Sequence, residues 1–191
     1  MSHQNKRHLT TKRLVLNAML VAIYVVLRHF SIPLGNAFRF TLGPFSVILC
    51  ATLYGPVDGL IVGFVGEFLA QMLSYGLTAT TLLWCIGETV RGGMLGLLVW
   101  LFLRKWMQGG EKLSKKQTVL LLVFCAFTAV LAALGQTLAL YVDSKMLGYY
   151  EYHAVFGLMI WRILIYIVLA VALGCVCQPI IIAMKKARLV K

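Results

Sequence analysis

Nine side chains stand apart from the long apolar runs around them: Arg28, Arg39, Glu67, Gln71, Trp84, Glu88, Arg91, Gln136 and Arg162. An ionisable group surrounded by lipid is costly, so each is a candidate for function before it is a candidate for fold. A guanidinium offers a planar fork of donors that grips a carboxylate or phosphate in two places, which a lysine cannot copy. Carboxamides and carboxylates add hydrogen-bonding partners, and Trp84 adds a flat wall for stacking. Glu88 and Arg91 are i,i+3 neighbours and can pair on one helix face. Arg28 and Arg162 can reach toward lipid headgroups as well as toward a ligand. Four arginines stand against Glu67 and Glu88, so a ligand held among them is expected to be a small anion.

The elements that position these residues follow from composition. Of 191 residues, 61% are apolar and 13% charged, with a mean hydropathy of +0.88. Soluble domains are about 45–50% apolar and about 25% charged, and a chain this small cannot hide the excess inside a soluble core. Lipid is the expected solvent. A crossing needs about 20 mostly apolar residues, and the apolar stretches suggest spans near 14–30, 39–53, 57–75, 80–103, 117–142 and 154–184. Ser31–Asn36, Tyr54-Gly-Pro56 and Gln108-Gly-Gly110 punctuate them as turns. The second stretch is short, so a five-span count stays open. The expected fold is an all-α membrane protein, a compact bundle of six transmembrane helices in one domain with both termini cytoplasmic.

The net charge of +12 supports that orientation. Basic residues cluster at Lys6–Arg13, Arg104–Lys116 and Lys185–Lys191, and short loops rich in Lys and Arg stay in the cytoplasm. Between Tyr141 and His153, Lys145 is balanced by Asp143 and Glu151. A nucleic-acid surface needs its charges on one folded face, and here apolar runs separate them. The five cysteines lie inside apolar stretches and match no zinc or disulfide framework. Neither a metal nor a cofactor is expected. The first apolar run lacks a small-x-small cleavage site and reads as a retained span.

In depth, the polar residues are one-sided. Arg28, Arg39, Gln71, Glu88, Gln136 and Arg162 fall in the middle-to-outer zone, while the inner halves are mostly Leu, Val, Ile, Ala and Gly. That pattern describes a cup open to the outside, rimmed by Tyr75, Tyr141, Tyr149, Tyr150, Tyr152 and Trp161. Segment 31–38 is a candidate lid. Gly55, Gly59 and Gly63, then Gly92 and Gly96, are spaced for close helix packing. Ala18 and Ala22 repeat the spacing low in the first span, where they offer a face to a partner helix. No Gly-x4-Gly-Lys-[Ser/Thr] loop is present for ATP, and no His-Glu-x-x-His or Gly-x-Ser-x-Gly motif offers an enzyme centre.

Taken together, the basic N-terminus, Ala18-x3-Ala22, Leu53-Tyr-Gly-Pro-Val-Asp-Gly59, the Arg-Gly of the fourth span and the run from Arg39-Phe-Thr-Leu-Gly-Pro44 to Gly66-Glu67 resemble a known family. It is that of the substrate-binding S components of energy-coupling factor (ECF) vitamin transporters, and the match looks closest to the folate and pantothenate branch. The region Tyr75–Trp84 departs from the folate pattern in having no proline. The resemblance implies six helices, an outward vitamin pocket and an alanine face docking on a transmembrane T component, with two cytoplasmic ATPase subunits supplying energy. It also implies residence in the plasma membrane and no enzymatic activity. Two other classes stay open: a small membrane enzyme acting on lipid headgroups with Glu88 or Glu67 as acid/base, and a stand-alone secondary carrier.

Overall fold

The computed structural model describes residues 11–34, 38–103 and 115–186. The ends of the chain and most of the mid-chain basic cluster lie outside them. Six α-helices make up the described bundle: α1 Thr11–His29, α2 Pro44–Tyr54, α3 Pro56–Tyr75, α4 Thr81–Phe102, α5 Lys115–Leu147 and α6 Met159–Lys186. Helices α3, α4, α5 and α6 are long and apolar enough to cross a membrane. A short antiparallel hairpin, β1 Ile32–Leu34 with β2 Phe38–Phe40, connects α1 to α2 and pairs Pro33 with Arg39. This hairpin departs from the purely helical expectation, and it places Arg39 on a strand instead of at a helix start.

Helix α2 is cut to 11 residues by a backbone device. Gly55 adopts φ +97°, a left-handed region that residues with a Cβ avoid, and donates its N–H to Ala51. Pro56, whose missing N–H costs nothing at a first helical position, then opens α3 at once. Gly76, at φ +74°, ends α3 in the same way. Helix α5 runs to Leu147, so Asp143 and Lys145 belong to the helix and not to a loop as expected. A π-helical turn, His153–Gly157, leads into α6.

The packing divides the molecule. Helices α3 and α4 share the most extensive seam, and α1 packs chiefly on α3 and α2. Away from the hairpin end lies a dry core of Ile48, Leu49, Val62, Leu95, Val99, Leu121, Leu173 and Ile181. The glycine steps serve the α3–α4 seam. A Cβ on Gly92 would stand 2.0 Å from the Gly59 carbonyl oxygen, and one on Gly63 2.4 Å from that of Glu88. Backbone therefore meets backbone, as small-residue spacing permits.

Candidate functional site

A cavity of about 480 Å³ opens at the end of the bundle that carries the hairpin. The last turns of α1, α3 and α5 and the first turns of α2, α4 and α6 enclose it. Its size falls within the range of small-ligand sites. Of the residues singled out from the sequence, Arg28, Gln71, Trp84, Glu88, Arg91, Gln136 and Arg162 line it. Glu67 does not; it is fully buried behind the wall. The side chain of Arg39 lies outside the described residues, as does part of the candidate lid.

Each wall has a local cause. The tight α3–α4 seam brings the Glu88 backbone against Gly63 and leaves its side chain on the cavity face. Glu88 Oε1 pairs with Arg91 Nη1 at 3.3 Å, the i,i+3 pairing expected from the spacing. Both residues are 2% exposed. Glu88 Oε2 and Arg91 Nε have no hydrogen-bond partner among the described residues. The Arg91 guanidinium carbon also lies 5.3 Å from the centre of the Tyr166 ring, a cation–π arrangement. The Tyr166 hydroxyl donates to Gln136 Oε1, tying α6 to α5.

Across the cavity, Arg28 donates to Glu67 through Nε and Nη2, both at 3.2 Å, and Gln71 Nε2 donates to Glu67 Oε1 at 2.8 Å. The Tyr24 hydroxyl donates to the same carboxylate. Arg162, 8% exposed, donates from Nη1 to Thr137 Oγ1 at 3.0 Å. Among the described residues it forms no ion pair. At the mouth, Asp143 accepts from the hydroxyls of Thr80 and Tyr149. Burial, then the bond to Asp143, pushes the Tyr149 phenol up to about 12.

Sequence reasoning missed Tyr24, Thr80, Thr137, Asp143 and Tyr166. Two of them carried a signal: Tyr24 precedes Arg28, and Tyr166 follows Arg162, by one helical turn. Asp143 was set against Lys145 as a loop charge, and its place on the cavity wall offsets part of the arginine surplus. The exposed side of α1 carries Ala18 and Ala22 together with Leu14, Val15, Met19 and Ile23.

A polar cavity at the hairpin end above an apolar core, built on six helices of which the second is short, defines a fold found among solved structures. The chain is similar to an S component for biotin from an ECF-type ABC transporter, with a TM-score of 0.56 and 18% identity over 94% of both chains. It is also similar to an S component of a bacterial ECF transporter, with a TM-score of 0.50 and 18% identity over 92% of this chain and 94% of that one. At that identity the likeness speaks for the fold.

The family model of the ECF-type riboflavin transporter S component matches residues 8–186, and the chain belongs to that family. The family is one of multi-pass membrane transporter subunits, not of enzymes. A UPF0397 protein of Lactobacillus johnsonii is 41% identical over 96 residues, 49% of this chain and 50% of its own. One of Lactobacillus gasseri is 40% identical over 95 residues, 48% and 50% of the two chains. The chain spans about half the length of the curated relatives it matches.

Proposed function

We propose that this chain captures a small vitamin from outside the cell and hands it to partner subunits for ATP-driven uptake. The observation that carries the reading is the single convergence, in one vitamin-sized cavity, of Arg28, Gln71, Trp84, Glu88, Arg91, Gln136 and Arg162. In this reading all six helices form one transmembrane domain with both termini cytoplasmic, and the cavity faces outward. Trp84 and Tyr166 wall a flat ring, while Gln71, Gln136 and Glu88 supply hydrogen bonds. Glu67 acts from behind the wall, and Arg39 stands on the strand that leads to it. The partners are a transmembrane T component, received on the Ala18–Ala22 face of α1, and two cytoplasmic ATPases.

The ligand class follows from the arginines. Arg28 and Arg91 each have a carboxylate partner, whereas Arg162 has a hydroxyl. A desolvated guanidinium with donors to spare favours an acidic group, since charge-assisted bonds are the stronger ones. That supports an anionic vitamin, folate-like or pantothenate-like. A second reading, riboflavin itself, rests on the family the chain belongs to. Calorimetric titration of the purified full chain in nanodiscs with riboflavin, folate and pantothenate decides between them. Saturable binding of one at equimolar stoichiometry supports capture, and its loss in Arg162→Gln supports the anionic reading. Turnover of lipid headgroups by the isolated chain would overturn capture altogether, as would transport in liposomes without partners.

A further inference from the structure

Three cavity-lining side chains converge on one carboxylate that does not itself reach the cavity. Glu67 is 0% exposed. It accepts from Tyr24, from Arg28 at two nitrogens and from Gln71, and all three donors face the cavity. Gly66 beside it makes room for this arrangement, because a Cβ there would stand 2.8 Å from the Tyr24 ring. A carboxylate so placed does two things at once. It fixes the wall formed by α1 and α3, and it cancels the charge that Arg28 would otherwise present to a ligand.

We infer that Glu67 sets the charge selectivity of the cavity without touching the ligand, as a positioning residue that turns Arg28 from an anion anchor into a neutral part of the wall. The inference rests on reading this cavity as the vitamin site. With Arg28 cancelled by Glu67, and Arg91 paired with Glu88, the remaining attraction for an anion comes from Arg162, set against Asp143 at the mouth. Removing the Glu67 charge while keeping its shape would release Arg28 and raise the preference for anions. Removing Arg28 instead would leave Glu67 uncompensated and lower it. A brace with no electrostatic role would do neither.

The test compares two probes that share a ring and differ in charge, riboflavin and riboflavin 5′-phosphate, bound to the purified full chain. Glu67→Gln should shift the affinity ratio toward the phosphate by about tenfold, the scale of one unit charge acting across a partly buried site. Arg28→Gln should shift it the other way, and the double change should return it to within about twofold of wild type. Equal weakening toward both probes, with the ratio unmoved, would overturn the inference and reduce Glu67 to a brace. Should Glu67→Gln not fold, the double change decides: a ratio within about twofold of wild type supports the inference, and one lowered as far as in Arg28→Gln alone overturns it. If wild type binds neither flavin, the ratio is read with folate against its uncharged dimethyl ester. Wild type that binds none of the four overturns the vitamin-site reading, and the inference falls with it.

Discussion

The α3–α4 seam and the α1–α3 seam both pass close to the cavity, and they are built from different materials. Between α3 and α4 the contact is backbone on backbone, with Gly59 against Gly92, Gly63 against Glu88, and Gly96 against Gly55 and Pro56. Between α1 and α3 polar pairs stand beside the apolar contacts of Leu20 and of the Tyr24 ring on Gly66. Asp58 accepts from Asn17 Nδ2 at 2.7 Å and from Arg13, which also donates to the Tyr54 carbonyl at 2.8 Å, while Glu67 holds Tyr24 and Arg28 further along. A glycine seam admits no side chain and has one fitted position. A seam that includes hydrogen bonds and ion pairs is directional, and its polar pairs fix α1 near both ends of its contact with α3. The difference teaches that the cavity has a fixed wall, α3–α4, and a wall pinned by charge, α1.

The largest effect should come from the fixed wall. Gly92→Ala puts a Cβ into the Gly59 carbonyl and forces the helices apart, at a cost of about 3 kcal/mol. Thermal unfolding in detergent should show a large loss. Gly93→Ala, whose nearest new neighbour is Leu60 at 3.6 Å, should be close to neutral. Equal losses at both positions would mean that helix propensity, not the seam, is being measured.

Next comes the pinned wall. Asp58→Ala removes one acceptor from both Arg13 and Asn17 and should cost about 3 kcal/mol at most, the low end for a broken buried pair because Arg13 is partly exposed and keeps its bond to the Tyr54 carbonyl. Ligand affinity should stay within about twofold, since Asp58 does not line the cavity. An unfolding midpoint that does not move would show that α1 is held by apolar packing alone.

A smaller effect is expected at the mouth. Tyr149→Phe removes one donor to Asp143 and should cost about 1 kcal/mol or less, read from the same unfolding curves. The pH dependence has a definite sign. The phenol is raised in the folded chain, so its contribution is complete below the ordinary value of 10.0 and is lost as pH climbs toward about 12. The difference between wild type and Tyr149→Phe should therefore be flat from neutral pH to about 9.

The smallest effect on the bundle belongs to Ala18→Leu. Ala18 is exposed, so bundle stability should change by no more than about 0.5 kcal/mol. Under the proposed function, copurification with a T component should nevertheless be lost, because close helix approach needs a small residue. Joint loss of stability and assembly would place Ala18 in the bundle's own packing.

The helical architecture could be read in advance because apolar runs and Gly-Pro punctuation are local signals. Tyr54-Gly-Pro56 marked the α2–α3 joint, and Glu88 with Arg91 declared their pairing by spacing alone. The pairing of Arg28 with Glu67 could not be read in that way, since the two are 39 residues apart and only packing joins them. Asp58 was visible as a residue near a helix start, but nothing local announced that Arg13 and Asn17 would fold onto it. Asp143 was misplaced for a related reason. Polar residues near a span end look like loop, and continuation of α5 through Leu147 is settled by its contacts with Thr80 and the turn before α6.

The Tyr24 ring lies against two glycines, one at the start of α2 and one in the middle of α3: a Cβ on Gly43 would meet it at 3.1 Å and one on Gly66 at 2.8 Å. One aromatic side chain thus occupies volume that two other positions have given up. Over evolutionary time the three sites cannot drift independently. A lineage that gains a side chain at 43 or 66 must first shrink the residue at 24, and a lineage that loses the ring leaves a hollow that selection can refill from either side. In an alignment of relatives, these positions should therefore vary as a triplet, with large-and-two-small exchanging for small-and-one-larger.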